Sequence, residues 1–133
     1  MKKVYMATMT NTGGRSGEST APDKSLQLKI APPGTSADAT NPEQLFAAGF
    51  SACFNSALSV VMLQEGIKAP STISATVSLY ERERFDFLIG VEIEGHIDGL
   101  SKEQTEALLQ KAHQVCPYSK ATRGNIDVVI KAI

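Results

Sequence analysis

The longest apolar stretch of the chain runs from Gln44 to Gln64 without one charged residue. Phe46, Phe50, Phe54, Leu58, Val61 and Met62 share it with many small residues, so apolar surface covers nearly the whole circumference of the helix it predicts. Asn41 and Pro42 supply an N-cap and a first-turn proline, Glu43 adds an acidic group to that turn, and Gly66 supplies the stop. Period-2 alternation marks the strands. Leu26, Leu28 and Ile30 alternate with Gln27 and Lys29. Ile73, Ala75, Val77 and Leu79 alternate with Ser74, Thr76, Ser78 and Tyr80; Phe85, Phe87, Ile89, Val91, Ile93 and Ile97 alternate with Asp86, Glu92, Glu94 and His96. The last two runs, joined by the charged connection Glu81-Arg82-Glu83-Arg84, predict an antiparallel pair with one wet face. Residues 1–12 read as a further strand. With Leu26 to Ile30 they predict an N-terminal hairpin whose loop, Gly13-Gly14-Arg15-Ser16-Gly17, carries Arg15. Ala31 to Thr40 is a loop by composition. Ser101 with Gln104 forms a capping box that opens a second helix. Leu108, Ala112, Val115 and Cys116 make its apolar stripe, and Pro117 ends it. Gly124-Asn125 turns the chain into a last strand, Ile126 to Ile130.

The order β-β-α-β-β-α-β, over 133 residues, predicts a single α+β domain with antiparallel sheets. One sheet and one further helix cannot easily cover a helix that is apolar all round, whereas a second copy of the same surface can. The pattern therefore predicts a homodimer with the long helix at its interface, crossing near Ala47, Ala48 and Gly49. Cover by the second helix and the loops is the competing expectation. The long helix also has the length of a membrane span; Ser51, Asn55, Ser56 and Ser59 within it, and no Lys or Arg close to either end, favour a core helix. A hydrophobic content of 42%, a charged content of 20% and a net charge of −1 describe an ordinary globular protein without a basic face for nucleic acid. Met1 to Met6 lack the apolar run of a signal peptide, so a cytoplasmic protein is expected.

Two cysteines are too few for a disulfide scaffold and read as free, buried or catalytic. Cys53 is either a small core hydrophobe or a reactive thiol. Apolar burial disfavours its thiolate, and three turns inside its own helix it gains little from the N-terminal dipole. A reactive Cys53 thus requires a cation from elsewhere. Of the four arginines, Arg82 and Arg84 lie in the charged connection; Arg15, in a glycine-flanked loop, is the best placed, an ordinary exposed arginine being the alternative. Glu43 either serves its helix dipole or pairs with an arginine and fixes its fork. Ten residues of straight helix is about 15 Å, so Glu43 reaches a Cys53 site only if the helix bends near Gly49 or if an antiparallel partner helix delivers it. Delivery across the dimer is the preferred expectation. Cys116, at a helix C-terminus, is either core packing or a resolving thiol, a part it suits better than that of first nucleophile. His96 and His113 have no metal-type spacing and read as surface residues. No Gly-rich phosphate loop and no nucleophile elbow occur.

Three segments together resemble the organic hydroperoxide resistance (Ohr) branch of the Ohr/OsmC family: Asn41-Pro42-Glu43-Gln44-Leu45-Phe46-Ala47-Ala48-Gly49-Phe50-Ser51-Ala52-Cys53-Phe54, Cys116-Pro117-Tyr118-Ser119-Lys120-Ala121-Thr122-Arg123-Gly124-Asn125, and Gly13-Gly14-Arg15-Ser16-Gly17. The resemblance spans essentially the whole chain. It implies an intertwined α+β homodimer, and a thiol peroxidase that reduces organic hydroperoxides to alcohols. Cys53 resembles the peroxidatic thiol, Cys116 the resolving one, and Arg15 with Glu43 the pair that holds the thiolate and polarises the peroxide. A Cys53 sulfenic acid would condense with Cys116, and dihydrolipoamide or a lipoylated protein would reopen the disulfide. Neither metal nor flavin is implied. Phe46, Phe50 and Phe54 suit an alkyl or fatty-acyl tail. Asn55 departs from the family pattern, in which histidine is common there. The rival expectations are an OsmC-like peroxidase of broader peroxide range and a non-enzymatic thiol sensor or small-ligand binding protein.

Overall fold

In the computed structural model, which describes residues 1–133, the first secondary structure is a small antiparallel sheet. It comprises β1 (Thr10–Thr12), β2 (Gly17–Thr20) and β3 (Gln27–Ile30), in that order. The predicted hairpin is therefore a three-stranded meander. β2, Gly-Glu-Ser-Thr, is short and polar, and no alternation announces it. Residues 1–9, expected as strand, pair with nothing within the chain, and Val4, Tyr5 and Met6 are exposed. This sheet lies in the first of two compact units, Met1–Leu45; the second is Phe46–Ile133.

The long helix α1 (Pro42–Gln64) begins and ends where its sequence directs. The Asn41 side chain accepts from the Gln44 N–H at 2.8 Å. At the other end Gly66 has φ 70°, its N–H reaches the Leu63 carbonyl, and the Ile67 N–H reaches the Met62 carbonyl. This is the paired closure by which a left-handed glycine satisfies the last carbonyls of a helix. Phe50, Phe54, Ala57, Leu58, Val61 and Met62 are buried. α1 is apolar and long enough to cross a membrane by length and composition, yet this stripe of it is the centre of the core.

In the second unit the core is closed by β4 (Ser71–Glu83), β5 (Asp86–Ile97), α2 (Lys102–Val115), α3 (Pro117–Thr122) and β6 (Val128–Ala132). β4 and β5 pair antiparallel over nearly their full lengths, and the expected connection shrinks to a turn at Arg84 and Phe85. Val91, Ile93 and Ile97 point inward while Glu92, Glu94 and His96 alternate with them. β6 runs parallel to β5, which corrects the expectation of purely antiparallel sheets. A crossover through α2 and α3 makes that possible. The capping box at Ser101 and Gln104 is formed in both directions. α2 packs tightly over β5 at Gly95, where a Cβ would stand 2.6 Å from a Leu109 methyl. Leu108, Ala112 and Cys116 are buried as the stripe requires, but Val115 is exposed, and Thr105 and Leu109 are buried instead.

Asn55 connects α1 to the start of β4: its carboxamide accepts from the Ser71 hydroxyl at 2.6 Å and donates to the Ser71 carbonyl. Phe54, wholly buried, is the anchor of this face. Phe54→Ala is expected to cost about 3–5 kcal/mol, the usual range for an emptied aromatic site; chemical denaturation monitored by far-UV circular dichroism would measure it.

Candidate active site

The structure brings the four candidate residues together as two pairs, one within each unit. In the first unit Arg15 occupies the β1–β2 turn. Gly13 and Gly14 both have positive φ, and a Cβ at Gly17 would lie 1.8 Å from the Thr12 carbonyl oxygen, so the turn needs glycine at its closing position. Asn11 braces the turn. Its side chain accepts from the Gly14 N–H at 2.9 Å and donates to the Gly14 and Glu18 carbonyls, each at 3.1 Å. Asn11 carries little signal in the sequence beyond its place two residues before the Gly13–Gly17 turn.

The Arg15 guanidinium meets Glu43 in a two-pronged fork, Nη1 to Oε2 at 2.8 Å and Nη2 to Oε1 at 2.6 Å. Such planar pairing fixes orientation as well as charge. Glu43 is largely enclosed, with 17% of its side chain exposed, against 52% for Arg15. The Arg15 hydrogen bonds hold the Glu43 carboxyl below its usual range, and the same bonds raise the guanidinium. Both partners belong to the same chain.

In the second unit Cys53, half-buried on α1, and Cys116, fully buried between α2 and α3, are both free, with sulfurs 3.7 Å apart. Burial pushes the Cys53 thiol up from its ordinary range; a hydrogen bond from the Tyr118 main chain pulls it down, and neighbouring Cys116 raises it further. Cys116 is the C-cap of α2, as expected, but it is also the N-cap of α3, a short helix that the sequence reading missed. Pro117 both ends one helix and starts the next. Of the three phenylalanines expected to contact substrate, Phe50 and Phe54 are wholly buried in the core. Phe46 alone lines an open, mainly apolar cavity of about 470 Å³, with Ile89, Tyr118, Ala121 and Ile126.

His96 is exposed, with its ring near Asp98 and the Ile133 carbonyl. His113 is not the surface residue expected. It is partly buried, its Nδ1 has no partner, and burial followed by the nearby Arg123 charge lowers its pKa. His, Cys, Asp and Glu side chains gather nowhere in groups of three that would hold a metal.

An α+β fold with two reduced cysteines in contact, one reachable and one enclosed, defines a dithiol protein. The family model described as OsmC-like protein matches residues 34–131. The organic hydroperoxide resistance protein OhrA of Bacillus subtilis is 46% identical to this chain, over 96% of this chain and 95% of that protein. The organic hydroperoxide resistance protein of Xanthomonas axonopodis pv. citri is 45% identical, covering 97% and 94%. The crystal structure of OhrB of Bacillus subtilis superposes with a TM-score of 0.90 at 41% identity, covering 98% of this chain and 100% of that one. A crystal structure of an organic hydroperoxide resistance protein from Elizabethkingia anophelis gives 0.89 at 42%, covering 99% and 98%. The chain belongs to the Ohr/OsmC family.

Proposed function

We propose that this chain is a thiol peroxidase that reduces organic hydroperoxides to alcohols. The observation that carries the reading is the contact between a reachable Cys53 and an enclosed Cys116, in a chain whose relatives are named for organic hydroperoxide resistance. The Cys53 thiolate attacks one peroxide oxygen, the O–O bond breaks, and the alkoxide leaves as alcohol on taking a proton; the sulfur is oxidised to a sulfenic acid. Cys116 then displaces water from that sulfenic acid and a disulfide forms. An external dithiol, such as dihydrolipoamide or a lipoylated protein, reduces the disulfide by exchange. The chemistry draws on the two sulfurs and the dithiol, without metal or flavin. Arg15, oriented by Glu43, supplies the positive charge that the buried thiolate requires and donates to the peroxide. Phe46 and the cavity beside it receive the organic tail.

The working protein in this reading is a cytoplasmic homodimer. Ala48, Ala52, Ser56, Val60 and Leu63 leave a largely apolar stripe of α1 uncovered, small toward its N-terminal half. Leu79, Tyr80, Phe87, Leu88 and Val129 are exposed on the larger sheet. Apolar surface of that extent suits a second copy. Within the expected crossing near Ala47, Ala48 and Gly49, Gly49 already faces Tyr118 of the same chain, and Ala48 is the exposed position.

The test is a dithiol-driven turnover assay comparing tert-butyl hydroperoxide with hydrogen peroxide. Faster turnover of the organic peroxide is expected. Equal rates would favour the broader OsmC-like peroxidase, and no turnover of either would leave a sensor or binding protein. With the dithiol and every other external thiol left out, Cys116→Ser is expected to consume about one equivalent of peroxide and then stop, since its sulfenic acid has no partner thiol. Mass spectrometry of the intact chain would show the added oxygen.

A further inference from the structure

Gly49 sits in the middle of α1, where glycine ordinarily costs helix stability. Its missing side chain has a use. A Cβ there would stand 2.7 Å from the Tyr118 hydroxyl oxygen and 3.2 and 3.3 Å from two ring carbons. The Tyr118 ring is thereby seated against α1, tilted on Phe50 with centroids 5.6 Å apart and edge-on to Phe46 at 5.9 Å. Tyr118 lies two residues beyond Cys116, with Pro117 between them holding φ. The same residue that packs its ring into the notch thus presents its main-chain N–H to the Cys53 sulfur.

We propose that Tyr118 is a positioning residue for the two thiols: its ring, locked in the Gly49 notch, fixes the Cys116-Pro117-Tyr118 turn so that the Tyr118 N–H meets the Cys53 sulfur. The same lock sets the 3.7 Å spacing between the sulfurs. A hydrogen bond to a charged acceptor is among the stronger ones, and its worth depends on the donor being held where the charge forms. The Cys116 N–H bonds the Ala112 carbonyl and the Thr122 hydroxyl bonds the Tyr118 carbonyl; the ring of Tyr118, partly exposed and walling the apolar cavity, adds the contact that ties this turn to α1. Glycine at position 49 is, on this account, the helix-side half of the lock.

The role rests on the dithiol reading given above, but its test needs no peroxide. In a Cys116→Ser background, Cys53 is the single thiol, and the titratable neighbour that acts on it is gone. The rate of alkylation by iodoacetamide, followed against pH, then reports the Cys53 thiolate directly. Tyr118→Ala is expected to move the midpoint to higher pH and slow alkylation at pH 7 about tenfold, the scale of one charge-assisted hydrogen bond. Tyr118→Phe, which keeps the ring, should track the parent. Gly49→Ala should shift the midpoint in the same direction as Tyr118→Ala. Adding Tyr118→Phe to Gly49→Ala removes the atom nearest the new Cβ and should move the profile back toward the parent. That rescue separates positioning from general loss of packing, and it stands even if Tyr118→Ala does not fold. A Gly49→Ala profile that coincides with the parent, or one that Tyr118→Phe fails to restore, overturns the proposal.

Discussion

Cys53→Ser is expected to reduce peroxide consumption to the uncatalysed background, a loss on the order of 10³-fold or more, as for other removed nucleophiles. The hydroxyl is nearly isosteric with the thiol, so the pocket changes little. What changes is the chemistry: serine ionises only far above neutral pH, and its oxygen cannot form a sulfenic acid. Cys53 is half-buried, with its thiol facing a main-chain donor that a serine oxygen also satisfies. The thermal midpoint should therefore stay close to wild type, which makes lost turnover a statement about the nucleophile. Cys116→Ser behaves differently, because it spares the first oxidation and blocks only its resolution. Peroxide consumption measured with a colorimetric endpoint, alongside melting curves for each variant, checks both expectations. Turnover persisting in Cys53→Ser would remove this sulfur from the reaction.

Much of the fold was legible because its signals are local. Asn41-Pro42 and Gly66 bound α1, Ser101 with Gln104 opens α2, and alternation through β4 and β5 sets their register. What escaped depends on partners distant in sequence or on elements too short to show a period. α3 spans only Pro117–Thr122, and a proline read as a stop served also as a start. β2 is polar, so it carries no apolar alternation. The parallel placement of β6 follows from the α2–α3 crossover and from no residue within β6 itself. For the candidate site, the glycine-flanked Arg15 and first-turn Glu43 each stood out, and the fork between them is a tertiary fact that no spacing encodes. The Gly49 notch was invisible for the same reason: a mid-helix glycine reads as a close-approach position without saying what approaches.

Arg15→Ala is expected to slow Cys53 oxidation about 10- to 100-fold at pH 7, the range a nearby opposite charge produces through a shifted pKa. In the second unit burial is the largest influence on Cys53 and raises its pKa, with the Tyr118 N–H only partly opposing it. A thiol titrating above its ordinary range is overwhelmingly protonated at neutral pH. In the proposed reaction a cation supplies the rest, and that part is assigned to Arg15, which Glu43 holds in a fixed orientation. The sign of the pH dependence follows. Without the guanidinium the thiolate forms only as pH rises through the raised thiol value, so the Arg15→Ala defect should shrink steadily as the solution becomes alkaline. On the acid side, Glu43 is depressed by its bonds to Arg15. Its charged fork therefore persists below the ordinary carboxylate range, and the stability it contributes is lost only as pH falls through that lowered value. Glu43→Gln keeps a neutral acceptor but loses the second charged prong. It should fall between wild type and Arg15→Ala. Stopped-flow oxidation of the reduced proteins from pH 5 to 10 measures each of these. Equal rates for wild type and Arg15→Ala at pH 7 would mean that the thiolate is stabilised by something other than this arginine. A defect that stayed constant to pH 10 would place Arg15 on the peroxide oxygen instead of on the sulfur.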